Sequence, residues 1–273
     1  MRFLFLGDIV GATGCSAVFD HLPILREKWR LDFIVVNGEN ASNGFGIKEE
    51  TYQDLLASGV DVVTTGNHAF QCEETLKYAS YSDRFLRPAN FIPGTPGKGS
   101  DLFTAKNGAR ILVANVLGNI FMPCDADDAF ETAEKIVSAC ILNEQADAII
   151  FDFHAEATSE KQCFGHFLDG RVSVIVGTHT HIPTADAQIL EGGSAYMSDA
   201  GMCGDYNSSL GMDKEEPLYR FLYKKKQDHF EPARGPATLC GLAVELSDRT
   251  GLAEKVSAVR IGPHLKPEVP DFW

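Results

Sequence analysis

Residue types that bind metals or transfer protons recur where short apolar runs of the chain end. Continuous apolar runs bounded by Gly and polar residues are typical of buried strands. Open α/β sheets bind their ligands just beyond the carboxyl ends of such strands. The pattern therefore predicts one site at five strand ends: Arg2–Leu6 leads to Asp8, Phe33–Val36 to Glu39 and Asn40, Val60–Thr64 to Asn67 and His68, Ala148–Phe151 to His154, and Val172–Val176 to His179 and His181.

The pair His179 and His181 is the most specific of these signals. Alternate residues of a strand point to the same side, so both imidazoles can reach neighbouring metals. A lone histidine is more often structural than a ligand, but an HxH pair after a Gly-terminated apolar run favours metal binding, for which imidazole is the commonest ligand. Asp8 and Asn40, taken singly, are equally compatible with a role in a turn.

The mixture of ligand types indicates both a class of metal and a class of reaction. Oxygen and nitrogen ligands together suit Mn, Fe or Zn better than Mg or Ca. Two cations about 3.5–4 Å apart clamp a phosphoryl group and lower the pKa of a bridging water. Glu39 is the candidate bridging carboxylate, and His68 has the ionisation range of a general acid. The chain has no GxSxG and no GxxxxGK[ST] motif, which disfavours a serine hydrolase and a P-loop NTPase.

The elements that must position these residues alternate between strands and helices, which predicts an α/β architecture. Another strand is predicted at Ile111–Leu117. Helices are predicted at Ser16–Trp29 with a break or restart at Pro23, Lys48–Ala57, Cys72–Tyr78, Ala126–Glu144 and Ser159–Phe167. Two hairpins, Ala187–Leu190 with Ser194–Met197 and Thr238–Leu246 with Glu254–Ile261, predict a mostly antiparallel C-terminal third.

Charge and composition narrow the range of partners. The net charge of the 273 residues is −14, which disfavours long nucleic acids because they are bound through Lys and Arg. A small phosphorylated ligand at a metal site stays compatible with this charge, since bound cations invert it locally. Seven dispersed cysteines, no signal-peptide pattern and no long apolar stretch predict a cytoplasmic protein without a membrane partner. A homo-oligomer is expected only from its general frequency.

Five segments carry a family resemblance: GDIVG at 7–11, NGENAS at 37–42, TTGNHAF at 64–70, DFHAEATSEK at 152–161 and GTHTHIPTAD at 177–186. In this order they resemble the YmdB-like bacterial metallophosphoesterases, and the resemblance covers nearly the whole chain. It implies the calcineurin-like metallophosphoesterase fold, an α/β fold with two β-sheets packed face to face between outer helices. It also implies that residues 1–273 form a single domain.

The resemblance further implies two divalent metal ions, iron or manganese first, with zinc or magnesium as alternatives. One metal would be bound by Asp8, Glu39, Asn40 and His181, and the other by Glu39, Asn67, His154 and His179. Glu39 would bridge the metals, and His68 would donate a proton. General calcineurin-like enzymes carry a DxH motif, whereas Ile9 and Val10 follow Asp8 here. Asn40 would take the place of that missing histidine.

The function expected from the resemblance is hydrolysis of small phosphodiesters, 2′,3′-cyclic nucleotides in particular. A metal-bridging hydroxide would attack phosphorus while His68 protonates the leaving group. Two alternatives stay open: a phosphomonoesterase such as a nucleotidase, and a regulatory nucleotide-binding protein with weak turnover. Comparing rates on monoesters and diesters separates the first from the main hypothesis, and tight binding without turnover would indicate the second.

Three further residues have competing interpretations. Glu156 and Lys161 could help to position phosphate. The run from Thr158 to Lys161 also has the pattern of a helix start with a capping side chain, and that interpretation is favoured. Asp199 could shape the floor of the pocket or simply form a turn.

Overall fold

The central strands of the protein are buried on both faces. In the first strand Phe3 and Phe5 point to one side, and Leu4 and Leu6 point to the other; all four side chains are fully buried. Successive strand residues face opposite sides of a sheet, so such a strand must lie between two apolar layers. The computed structural model describes all residues, Met1–Trp273, and shows both layers.

The chain forms fourteen strands and six helices. The strands are Arg2–Leu6 (β1), Asp8–Ile9 (β2), Phe33–Asn37 (β3), Val62–Thr64 (β4), Phe85–Leu86 (β5), Ser100–Thr104 (β6), Arg110–Leu117 (β7), Ala148–His154 (β8), Val174–Thr178 (β9), Gln188–Ile189 (β10), Ala195–Met197 (β11), Met202–Cys203 (β12), Leu239–Leu246 (β13) and Ala253–Ile261 (β14). The helices are Gly11–Lys28 (α1), Glu49–Ala57 (α2), Glu73–Tyr78 (α3), Ala129–Ala139 (α4), Thr158–Leu168 (α5) and Glu215–Tyr223 (α6).

Two six-stranded sheets dominate the structure, with orders β14-β13-β1-β3-β4-β5 and β10-β11-β9-β8-β7-β6. In the first sheet β1, β3, β4 and β5 are parallel, and in the second β7, β8, β9 and β11 are parallel. In the first sheet β13 pairs antiparallel with β1, and β14 with β13; in the second, β10 and β6 pair antiparallel with β11 and β7. A small parallel pair, β2 with β12, lies beside the site.

The apolar core has three parts that define four layers. One part joins Phe3 and Phe5 of the first sheet to Val113 and Ile150 of the second, so the sheets pack face to face. The other parts pack α1 and α2 on the outer face of the first sheet, and α4 and α5 on the outer face of the second. This arrangement confirms the expected fold of two facing sheets between helices. None of the helices has the length and apolarity needed to cross a membrane.

Two expectations about helices were wrong. Helix α1 runs through Pro23 without a break, because the buried side chains Leu22 and Leu25 anchor both sides of the exposed proline to the sheet. Helix α4 begins only at Ala129, after Asp128 caps it by accepting a hydrogen bond from the Glu131 amide, and it ends at Ala139.

The C-terminal third is also less uniformly antiparallel than expected. Both predicted hairpins form, but β11 pairs parallel to β9. Between β12 and β13 the chain adds α6, which the sequence patterns did not predict.

Candidate metal centre

The structure brings all the predicted site residues to one edge of the two sheets. Asp8 of β2, His154 at the end of β8, and the segments after β3, β4 and β9 meet there. Five of the side chains are buried: Asp8, Glu39, Asn40, His154 and His181. Asn67, His68 and His179 are half-buried, and His68 and His179 line a cleft above the buried residues.

Four side chains of the proposed second metal set converge on one point. His154 Nε2 lies 3.1 Å from Glu39 Oε1, 2.9 Å from Asn67 Oδ1 and 3.1 Å from His179 Nδ1. Ligand atoms of Glu39, His154 and His179 all lie within 4.8 Å of one another. Nitrogen and carboxylate ligands around a single ion require such mutual closeness.

The first set contains two buried oxygens without hydrogen-bond partners, Asp8 Oδ1 and Asn40 Oδ1. Asn40 Nδ2 donates to the Gly44 carbonyl, which turns its oxygen toward the cluster. Asp8 Oδ1 lies 3.9 Å from His181 Nε2. Buried acceptors are almost always paired, so an oxygen-binding cation fits these residues.

The charges of the cluster call for positive charge at its centre. Burial raises the pKa of Asp8 to about 7, against the attraction of His181 and His154. Burial also opposes ionisation of Glu39, but His154 and His68 outweigh it and lower the pKa of Glu39 to about 2. Burial would lower the pKa of His154, yet Glu39, Asp8 and Asp152 raise it to about 9. The carboxylates thus retain a proton on His154 when no cation is bound.

Gly66 leaves the space that the cluster needs. A Cβ atom at this position would collide with the His154 ring and with Glu39 Oε2. The backbone at Gly66 is not left-handed, so the restriction on this residue is steric. Glycine here allows the β4 segment to approach the ligands closely.

His68 lies at the mouth of the cluster, where its amide donates to Glu39 Oε2 at 3.0 Å. The ring of Phe45 contacts its imidazole edge-on, with centroids 5.1 Å apart. Burial lowers the pKa of His68, and His154 adds to this effect while Glu39 opposes it. The ring lines the cleft and is placed to contact a bound substrate.

The two histidines of the HxH pair do not lie on a strand, contrary to the interpretation from their spacing. Strand β9 ends at Thr178, and the backbone is left-handed at His179 (φ 97°) and His181 (φ 66°). Their rings therefore separate: His179 reaches His154, and His181 reaches Asp8. Left-handed backbone is costly for residues with a side chain, so the turn must be held by its surroundings.

A buried ion pair holds this turn. Lys161 Nζ donates to Asp199 Oδ2 at 2.7 Å and to the Thr178 carbonyl at 2.8 Å. Asp199 Oδ2 also accepts the Thr180 amide at 3.0 Å. A helix does start at this segment, since α5 begins at Thr158. The predicted capping side chain was wrong, because the N-cap residue is Ala157, which makes no capping hydrogen bond. Lys161 instead points into the protein.

A second buried network orients His154, and the sequence interpretation missed it. His154 Nδ1 contacts Thr178 Oγ1 at 2.8 Å, and Thr178 Oγ1 donates to Asp152 Oδ1 at 2.6 Å. Asp152 also accepts hydrogen bonds from Thr64 and Asn37. The available signal was Asp152 itself, a carboxylate that stands two residues before His154 in an otherwise apolar strand.

Glu156 contacts the opposite nitrogen of a predicted ligand. Its Oε2 lies 3.1 Å from His179 Nε2, while His179 Nδ1 faces His154. Metal-binding histidines usually donate their second ring nitrogen to a carboxylate, which fixes the orientation of the ring. Glu156 has this position relative to His179.

The cleft above the cluster has a volume of about 380 Å³. Its floor carries Glu39, Asn40, His68, His179 and His181. Neither Lys nor Arg lines it, so no side chain of the cleft carries a fixed positive charge to pair with an anionic ligand.

The facing sheets and the cluster of carboxylate, amide and imidazole groups at their edge define a phosphoesterase of the calcineurin-like type. The model of the YmdB-like protein family matches residues 4–259, and the chain belongs to this family. A 2′,3′-cyclic-nucleotide 2′-phosphodiesterase of Bacillus subtilis is 41% identical over 96% of this chain and 97% of its own length.

Two solved structures share the fold over nearly their whole length. A protein of Thermus thermophilus described as hypothetical is 39% identical, with a TM-score of 0.88 over 96% of this chain and 99% of its own. A protein of Mycoplasma pneumoniae described as a novel phosphatase is 34% identical, with a TM-score of 0.88 over 96% of this chain and 93% of its own. These similarities confirm the family resemblance found in the motifs.

Proposed function

We propose that this phosphoesterase hydrolyses small phosphodiesters, with 2′,3′-cyclic nucleotides as the preferred class. The observation that carries the proposal is the convergence of the predicted ligands beneath a cleft without Lys or Arg. Because neither Lys nor Arg lines the cleft, bound cations would supply the positive charge that pairs with an anionic phosphodiester. The name of the Bacillus subtilis relative supports the choice of the cyclic diester.

Two divalent metals, iron or manganese, fit the two ligand sets. Asp8, Glu39, Asn40 and His181 would hold one metal, and Glu39, Asn67, His154 and His179 the other. Bound metals would supply Lewis-acid activation of the phosphoryl group and of the attacking water. The protein supplies the arrangement: Thr178 and Glu156 orient histidine rings, and Gly66 keeps the centre open.

His68 is the proposed proton donor to the leaving oxygen. Its imidazole borders the cleft, its amide is fixed by Glu39, and its ring is fixed by Phe45. A donor held in this way can meet the leaving group without belonging to either ligand set. Removing it should therefore separate turnover from metal binding.

The test combines metal analysis with turnover of 2′,3′-cAMP and bis-p-nitrophenyl phosphate after incubation with Mn or Fe. We expect His68→Ala to keep its metal and lose roughly 100-fold or more in kcat, the usual contribution of a general acid. We expect Glu39→Ala to lose metal and turnover together. Full metal content in Glu39→Ala would remove Glu39 as the bridge, and a wild-type protein inactive on both diesters would refute the proposal.

A phosphomonoesterase is the second candidate, favoured by the description of the Mycoplasma pneumoniae relative as a phosphatase. The same ligand sets would serve it. Rates on 3′-AMP and 2′,3′-cAMP, measured with one metal-loaded preparation, decide between the two. A higher kcat/KM for 3′-AMP would favour the monoesterase.

A further inference from the structure

One wall of the cleft is apolar, in contrast to its polar floor. The wall shares the cleft with the predicted ligands and is formed by Phe45, Leu210, Met212, Pro217, Phe221 and Phe230. All but Phe45 come from the segment between β12 and β13, which contains α6. The site therefore offers an apolar surface directly beside the residues proposed to bind phosphate.

Phe221 is the wall residue with the freest surface. Its side chain is 74% exposed, whereas the other aromatic residues of α6, Tyr219 and Tyr223, pack against each other. Phe230 is already covered by the Arg220 guanidinium, 4.0 Å from its ring centroid, whereas the Lys224 ammonium lies farther from the Phe221 ring, 6.0 Å from its centroid. A large exposed aromatic ring in a ligand cleft is a characteristic feature of a binding surface.

The wall is suited to a flat, uncharged ring. Ser209 is the polar side chain that stands among the wall residues, so the wall provides area for contact and little hydrogen-bonding capacity. Aromatic side chains bind bases in this way by stacking, with little discrimination between them. The volume of about 380 Å³ lies in the range of pockets for small ligands and leaves room for more than a phosphate.

We propose that Phe221, with the apolar wall around it, binds the nucleobase of the substrate by stacking. The assignment rests on the proposed function, because it places the phosphate of the same nucleotide over the predicted metal ligands. It makes Phe221 a residue that determines preference for nucleotides over phosphodiesters without a base. Because stacking depends on ring area, purine substrates are favoured modestly over pyrimidine ones.

The test compares 2′,3′-cAMP with glycerol 1,2-cyclic phosphate, which has the same cyclic diester and no base. For Phe221→Ala we expect kcat/KM for 2′,3′-cAMP, divided by kcat/KM for glycerol 1,2-cyclic phosphate, to fall about tenfold. Most of this change should come from a higher KM for 2′,3′-cAMP. Phe221→Trp should restore the ratio. Leu222→Ala is the matched control, because it removes an exposed apolar side chain from the same helix outside the cleft.

Equal losses on both substrates would overturn the assignment, as would an unchanged ratio. A change in oligomeric state of Phe221→Ala, seen by light scattering, would instead make α6 a contact with a second copy and also overturn it.

A second measurement separates the subsite from the proposed function. Adenosine, which has no phosphate, should bind the wild-type protein, as measured by ligand-observed NMR. Its Kd should rise about tenfold in Phe221→Ala. If adenosine binds through Phe221 but no diester is hydrolysed, the proposed function fails and the subsite stands. If adenosine binding ignores the substitution, the subsite fails whatever the activity.

Discussion

Lys161 and Asp199 form an ion pair, with Nζ 2.7 Å from Oδ2, inside the protein. Their side chains are only 3% and 1% exposed. Each also holds the backbone of the turn after β9, through the Thr178 carbonyl and the Thr180 amide. The pair thus fixes the backbone on both sides of His179, whose left-handed conformation needs such support.

Replacing Lys161 by Met should destabilise the protein and disturb the metal centre. The substitution leaves Asp199 as a buried carboxylate without its cation, which costs about 3–5 kcal/mol. We expect this loss in the free energy of unfolding by urea denaturation, together with a lower metal content. Lys135→Met is the control, since Lys135 is exposed and its contact with Glu131 is 4.0 Å long. A stability equal to that of the control would contradict the bracing role.

Gly66→Ala tests whether the ligand cluster needs the space that glycine leaves. The new Cβ would collide with His154 and Glu39, while every charge of the site stays the same. A displacement of ligands by about 1 Å costs roughly 100-fold in kcat/KM, and we expect such a loss with reduced metal content by mass spectrometry. Gly108→Ala, where a Cβ has no neighbour within 4 Å but the backbone is left-handed (φ 90°), is the control: it should lose some stability and no metal. Unaltered metal binding in Gly66→Ala would show that the cluster can relax.

The strand ends were predictable because the pattern there is local. The runs ending before Asp8 and Glu39 are continuously apolar, and a strand buried on both faces has to be so. Parallel strands then bring their carboxyl ends to one edge, which was enough to expect one site from distant segments. The ligand clustering follows from this rule and not from any single motif.

The features that sequence reasoning missed depend on contacts between distant segments. The sequence around Lys161 indicates a helix start. Only the fold shows that Lys161 forms an ion pair with Asp199, 38 residues later. The HxH spacing suggested a strand, but the strand ends at Thr178 because the buried pair stabilises a turn. Helix α6 buries only Glu216 and Pro217; its apolar face is exposed and does not pack on the core.

Glu156 should prove to be a positioning residue for His179. Its carboxylate accepts from His179 Nε2 at 3.1 Å in the orientation that presents Nδ1 to the cluster. Losing such a partner costs roughly 10–100-fold in metal affinity or activity. We expect Glu156→Ala to lose this much in metal affinity by competition with a chelator, and Glu156→Gln, which keeps an acceptor oxygen, to lose less.

Exposed Glu191 supplies the control for that series, as Glu191→Gln. A positioning role requires the order wild type, Gln, Ala in metal affinity. If Ala and Gln both bind metal as the wild type does, Glu156 does not orient His179.

Metal removal should lower thermal stability as well as activity. Without cations, Asp8 Oδ1 and Asn40 Oδ1 stay buried and unpaired, and burial of unpaired polar groups is costly. A ligand that binds only the folded state adds about 2.7 kcal/mol when its free concentration is 100 times its Kd. For a chain of this size that corresponds to a shift of about 5 °C in Tm. Calorimetry of protein dialysed against EDTA, and again after adding Mn, measures the shift.

Asn40→Ala removes one unpaired oxygen and one proposed ligand, so its Tm should respond less to Mn. A response equal to that of the wild type would exclude Asn40 from the centre.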